Sequence, residues 1–313
     1  MRRLLALASA CALTGPAWGW SDWRTLKTES FTVFHRPGQE EQARALLRTL
    51  EFHRPGVERL TGNRMRSIPF VIQDAGAISN GETDPVNRTI HVYAYPPSAA
   101  AEPELAYTEN WWSDVGVHEY THMLHLSKAG GLPAVIQALV GNVTPNAAAA
   151  PAWMAEGIAV YQESAIRPHQ GRLNDGFYDA YLGAVVRERG APPGILTATY
   201  APLEYPRGGW YLYGGEFVGW LGRTRGPAQL TAYYGRLGSM LGGYLSPLFP
   251  WIGIDRAARK AFGRSMSALW DEWRASETIR FKDFAPEGER VTRHGWTVRD
   301  LAIANGKLYY VRA

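Results

Sequence analysis

Hydrophobic positions change their spacing several times along this chain. Ser30-Phe31-Thr32-Val33-Phe34-His35 alternates apolar and polar side chains and predicts a strand. Over residues 40–60 the spacing turns helical, with Ala43, Leu46, Leu47, Leu50 and Val57 on one side, although Pro55-Gly56 weakens the second half. Alternation returns in Ile68-Pro69-Phe70-Val71-Ile72. It appears again over residues 88–95, where Ile90, Val92 and Ala94 face one way and His91, Tyr93 and Tyr95 the other. Asn80-Gly81 and Asp84-Pro85 read as loops. From residue 111 helical spacing dominates, predicting helices over 111–126, 133–140, 153–164, 177–189, 211–223, 228–237, 254–262 and 267–279. Residues 144–151, with a run of four alanines, read as a connection or lid rather than core. Near the end, 297–304 and 307–311 flank Asn305-Gly306, the signature of a two-residue hairpin.

These elements predict an α+β chain: an N-terminal mixed sheet, a helical C-terminal half and a terminal β-hairpin. The boundaries fall at 1–19 for a leader, 20–110 for an α/β subdomain, 111–285 for the helical subdomain and 286–313 for the hairpin tail. No internal repeat is visible. An isolated hairpin is marginal in water, so the tail either packs on the helical half or begins a further β-domain.

Composition narrows the function class. The 313 residues are 46% hydrophobic and 20% charged, as in an ordinary globular chain. Met1-Arg2-Arg3, an apolar stretch over 4–13 and Ala17-Trp18-Gly19 together read as a secretory leader. Ten apolar residues are too few to span a bilayer. The expected location is periplasmic or secreted, with no stable membrane insertion once the leader is removed. Cys11, the one cysteine, leaves with the leader, so no disulfide or thiol chemistry is expected. The net charge is +4, but Arg2 and Arg3 supply half of it. The remaining near-balance gives no reason to expect nucleic acid or an acidic membrane surface as partner.

The chemistry begins at His118-Glu119-Tyr120-Thr121-His122. On a helix, side chains four apart share a face, so His118 and His122 can hold one zinc ion (Zn2+) while Glu119 reaches a water beside it as general base. By average residue usage the pattern arises by chance in about one chain of this length in a hundred. The bland alternative is a helix with two surface histidines, and a third ligand decides between them.

A second segment, Pro151-Ala152-Trp153-Met154-Ala155-Glu156-Gly157-Ile158-Ala159-Val160-Tyr161, follows. With the first motif it resembles the gluzincin (peptidase MA-like) zinc metallopeptidases, whose aminopeptidase-type members carry a similar Trp-Leu-x-Glu-Gly-x-Ala stretch. The resemblance implies a thermolysin-like fold, Glu156 as third metal ligand beside His118 and His122, and Glu119 as base. Tyr211-Leu212-Tyr213-Gly214 resembles the family's Tyr-x-x-Gly segment, with Leu221 at the matching offset. It implies Tyr211 as the oxyanion-stabilising phenol, with Tyr213 as the fallback. Exported members are often followed by a TolB-like β-propeller, which the terminal hairpin would begin.

Departures from the family pattern are informative. His122 and Glu156 are 34 apart, longer than in many members, and the added residues include Gly130-Gly131-Leu132-Pro133 and the alanine run. No Gly-x-Met-Glu-Asn segment is present, so aminopeptidase specificity is unsupported. Val160 stands where the thermolysin group has an aspartate. Among other residues, His125 reads as packing or as a support for the ligands, His169 as a loop histidine and Asp114 as a helix-surface residue. Residues 88–95, with His91 and Tyr93, are the candidate edge strand for an extended peptide. The expected activity is zinc-dependent hydrolysis of a peptide or protein substrate. The alternative is a non-enzymatic binding or assembly protein with structural zinc on the same scaffold. Oligomeric state is not encoded in any of these features.

Overall fold

The computed structural model describes residues 22–312 apart from 75, 77–78, 98–104, 106–109, 166, 201–208 and 295–297. The leader read at 1–19, Cys11 included, lies outside the described residues. The chain is mixed α and β, with a five-stranded mixed sheet first, helices next and a two-stranded hairpin last.

The sheet contains β1 (Arg24–Lys27), β2 (Phe31–His35), β3 (Ile68–Gln73), β4 (Gly81–Asp84) and β5 (Thr89–Tyr93), in the order β1-β2-β3-β5-β4. β2, β3 and β5 run parallel, and β1 and β4 are antiparallel edges. Alternation works as expected: Phe31, Val33, Phe70, Ile72, Ile90 and Val92 are fully buried on one face. α1 (Glu40–Thr61) covers that face through Ala43, Leu46, Leu50 and Val57. It runs straight through Pro55, contrary to the weakening expected there. Val57 and Leu60 are packed beyond the proline, and Gly62 ends the helix in the left-handed conformation.

One expectation about the sheet is corrected and one strand is added. The chain is irregular just before Gly81 and turns at Pro85, as Asn80-Gly81 and Asp84-Pro85 suggested, but residues 81–84 between them form β4, which was not expected. The candidate edge strand over 88–95 is not an edge, since β5 lies between β3 and β4. β4 was hidden because Gly-Glu-Thr-Asp has no apolar alternation, and its partner strand alone creates it.

The second half holds α2 (Trp111–Leu126), α3 (Gly131–Val140), α4 (Pro145–Ala149), α5 (Ala152–Ser164), α6 (Gly176–Arg189), α7 (Ile195–Tyr200), α8 (Gly209–Arg225), α9 (Pro227–Leu237), α10 (Ile254–Phe262) and α11 (Met266–Arg280). The hairpin follows as β6 (Val298–Ala304) and β7 (Lys307–Arg312). β1 and α7 had no signal strong enough to be expected. Residues 144–149 are not a lid. Thr144 and Asn146 are fully buried, the Thr144 hydroxyl donates to the Leu126 carbonyl, and Asn146 Nδ2 donates to the carbonyls of His125 and Tyr234.

Two apolar cores result. One joins the sheet, α1 and the inner side of α2 through Val117, Tyr120, Met123 and Leu124. The other joins α5, α6, α8, α9, α10 and α11 around Trp153, Phe217, Trp270 and Trp273. Within it α5 and α8 touch backbone to backbone. A Cβ on Gly214 would lie 2.1 Å from the Trp153 carbonyl oxygen, and one on Gly157 would lie 2.5 Å from the Gly214 carbonyl oxygen. Only glycine permits that approach.

Gly214→Ala is therefore expected to destabilise the protein by about 3 kcal/mol, at the upper end of overpacking costs. Gly176, where a Cβ meets nothing within 4 Å, serves as the control and should tolerate alanine. Urea unfolding of both variants checks this, and equal stabilities would contradict the close crossing.

Candidate metal centre

α2 carries both histidines of the motif and is buried on nearly every side: His118 is 6% exposed and His122 7%. This removes the surface-histidine alternative. Asn110 starts the helix by accepting from the Ser113 N–H. His118 Nε2 and His122 Nε2 converge to 3.0 Å, and Glu156 Oε2 on α5 lies 3.1 Å from each. A four-coordinate ion with nitrogen and oxygen ligands at 2.0–2.1 Å spaces them about 3.3 Å apart, so the triangle fits within a few tenths of an ångström. These three buried side chains could hold a metal ion.

The histidine is oriented from behind. Glu163, seven residues after Glu156 and so on the same side of α5, places Oε2 3.0 Å from His118 Nδ1. With Nε2 turned to a metal, Nδ1 carries the proton and donates it to Glu163. Arg172 holds that carboxylate in turn. Its backbone N–H and Nε donate to Oε1 at 3.1 and 2.8 Å, and Nη2 donates to Oε2 at 3.0 Å. Arg172 Nη2 also lies 2.9 Å from His118 Nδ1, but two donors cannot bond, so the guanidinium belongs to the carboxylate. Gly171 makes the turn possible: its φ is +81°, and a Cβ there would strike the Ser164 backbone.

The electrostatics match a site built for a cation. Burial opposes a charged His118, yet the carboxylates of Glu156 and Glu163 outweigh it and push the imidazole up to about 9. Glu156, despite its burial, is held well below the usual carboxylate range by His122 and His118. Glu163, equally desolvated, is held low by Arg172 and His118.

The triad opens into a cavity of about 610 Å³ also lined by Thr83, Asp114, Glu119 and Tyr211. Glu119 Oε2 lies 2.7 Å from the Thr83 hydroxyl, which is also 2.9 Å from the Glu119 carbonyl. β4 reaches this position because Gly81 has no Cβ, which would sit 2.6 Å from Glu119 Cγ and Val115 Cγ2. The Tyr211 ring lies 6.1 Å from the His118 ring, with the Arg172 guanidinium 4.8 Å above it. Burial and the nearby Glu156 charge push the phenol well above its ordinary value, so it remains a donor at neutral pH.

The structure thus brings together His118, Glu119, His122, Glu156 and Tyr211. Tyr213 is instead buried in the helical core. His125 packs edge-on against Tyr234, neither ring nitrogen has a hydrogen-bond partner among the described residues, and desolvation pushes it down to about 3. His169 is exposed. His91 meets Gln73 in the sheet rather than the cavity. Asp114 is not on the helix surface: it is buried and accepts from Gln170 Nε2 at 3.0 Å. Sequence reasoning missed Thr83, Glu163 and Arg172. The seven-residue interval from Glu156 was the available signal for Glu163, whereas nothing local marks the other two. A scan against protein-family models found no match to this chain, and a search of curated proteins found none either.

A proton on His118 competes with a metal, and its folded-state value near 9 sets the window. Apparent zinc affinity should rise by up to about tenfold per pH unit between pH 6 and 8 and level off near 9. Glu163→Gln should lower affinity by about 10–100-fold at fixed pH. Competition titrations against a chromophoric chelator measure both, and an affinity flat from pH 6 to 8 would count against this donor set.

Proposed function

We propose that this protein is a zinc-dependent peptide-bond hydrolase of the gluzincin kind. One observation carries the reading: a buried His118–His122–Glu156 cluster opens onto a cavity that Glu119 and Tyr211 also line. A purely structural zinc is normally closed by four protein ligands, whereas the three found among the described residues leave a position free, as catalytic sites require.

Zinc held there would supply Lewis acidity, making water nucleophilic near neutral pH. Glu119 takes the proton of the attacking water on its carboxylate and returns it to the leaving amine. Thr83 fixes that carboxylate by its hydroxyl. Tyr211, protonated at working pH, donates to the oxyanion that develops as the carbonyl becomes tetrahedral. Glu163 and Arg172 keep His118 in the tautomer that presents Nε2. Substrate is a peptide or protein segment, and β4, the last strand of the sheet beside Glu119, offers main-chain pairing to an extended chain. The leader-like first residues support a periplasmic or secreted location.

Glu119→Gln should retain zinc one-to-one and lose about 10²–10⁴ in kcat. Tyr211→Phe should lose about 10²–10³ in kcat with KM little changed. Metal analysis combined with a peptide-library cleavage assay tests both. A Gln variant cutting as fast as the parent would refute the mechanism, and zinc-loaded parent protein that cuts nothing would favour the structural-metal scaffold.

A further inference from the structure

α3 is built inside out. Its one polar side chain, Gln137, is turned toward the protein and donates to the Ser127 carbonyl and to Asn142. Pro133 is buried and Ile136 half-buried, but four of its apolar side chains point away: Leu132, Val135, Leu139 and Val140 are 54, 52, 79 and 65% exposed. A surface helix of a globular protein normally shows the opposite arrangement.

A second apolar segment lies beside it. The Gly130 N–H donates to the Gly238 carbonyl, and the Tyr244 hydroxyl donates to the Val143 carbonyl at 2.8 Å, which ties both ends of α3 to residues 238–244. The chain then forms an ordered turn, Leu245-Ser246-Pro247-Leu248-Phe249-Pro250-Trp251, closed by the Phe249 N–H donating to the Leu245 carbonyl at 2.8 Å. Leu248 is 74% and Trp251 59% exposed.

Charge is sorted around this face. Lys128 is the sole charged residue from 127 to 155, and Arg236 the sole one from 227 to 254. α10 leaves the same turn, its Asp255 N–H donating to the Pro250 carbonyl, and exposes Arg256, Arg259 and Lys260. Asp255, the one acid there, lies 3.9 Å from Arg259 and accepts the Met266 N–H. The segments 127–155 and 227–254 thus carry no acidic residue, and the helix that follows the turn carries three exposed cations.

Spanning is excluded for this element. α3 has ten residues, about 15 Å, against a hydrocarbon core of about 30 Å. No single described helix is long and apolar enough to cross, and α2 with α3 passes only as a pair bent by 104°, with α2 buried in the protein. A protein partner fits the face poorly, because protein interfaces carry roughly ten hydrogen bonds and these exposed side chains offer almost none.

We propose that the face formed by α3 and the 245–251 turn docks on the surface of a bilayer containing anionic phospholipid. Leu139, Val140, Leu248 and Trp251 enter the interface, where tryptophan is favoured, and Arg236, Arg256 and Lys260 meet the headgroup phosphates. The docking does not depend on the hydrolase reading.

The test is co-sedimentation of the whole protein with vesicles of phosphatidylcholine containing about one-third phosphatidylglycerol, against phosphatidylcholine alone. Partitioning should be at least about tenfold stronger on the anionic vesicles and weaken with salt. Leu139→Gln with Trp251→Gln should reduce it by at least about tenfold, and Arg256→Glu with Lys260→Glu should abolish the anionic preference. Because these side chains are exposed, thermal unfolding and zinc content should stay at parental values. Equal partitioning to both vesicles, no partitioning to either, or a dimer in light scattering that the apolar variants dissociate would overturn the proposal.

Discussion

The backbone contact between α5 and α8 is the constraint on which the rest of the structure depends. Gly157 and Gly214 let the two helices approach closer than any side chain would permit. Glu156 sits beside one glycine and Tyr211 three residues before the other, so a packing requirement sets where a candidate metal ligand and a phenol meet. The aromatic cluster of Trp153, Phe217 and Trp270 fills the space beside the crossing, with ring centroids 4.7–5.6 Å apart, and holds it rigid.

The donor set straddles two cores. His118 and His122 belong to a helix whose inner side packs on the sheet, whereas Glu156 belongs to the helical cluster. A metal at their junction would tie the two cores together, and without one the buried imidazoles and carboxylates must share protons. The raised His118 value expresses that frustration. Glu163 and Arg172 prevent it from relaxing by rotation, because the carboxylate is held through three donors of one arginine.

The same physical logic explains the protein's exterior. α2 is buried on nearly every side and carries His118, Glu119 and His122 at the site, while the adjoining α3 turns its one glutamine, half-buried, toward the protein and exposes leucines and valines. Hydropathy alone would bury α3, the more apolar of the two, ahead of α2. What separates them is which neighbours the fold places beside each.

The sequence by itself determined most elements and the core of the site. Alternation placed β2, β3 and β5, helical spacing placed the long helices within a few residues, and His-Glu-x-x-His together with Glu156 marked the three donors. Alternation and helical spacing are local and periodic, so no fold is needed to see them, whereas Glu156 was reached through the likeness of its segment to a known family. Only the tertiary structure decided the rest. β4 has no apolar pattern and exists because β5 pairs with it. Residues 144–149 look like a lid by composition but are buried by hydrogen bonds from other helices. Asp114 looks exposed by spacing but lies in the cavity. Thr83 reaches Glu119 from 36 residues away and Glu163 reaches His118 from 45, with Arg172 bracing the Glu163 carboxylate. Partners so far apart in sequence leave no local periodicity, and packing alone brings them together.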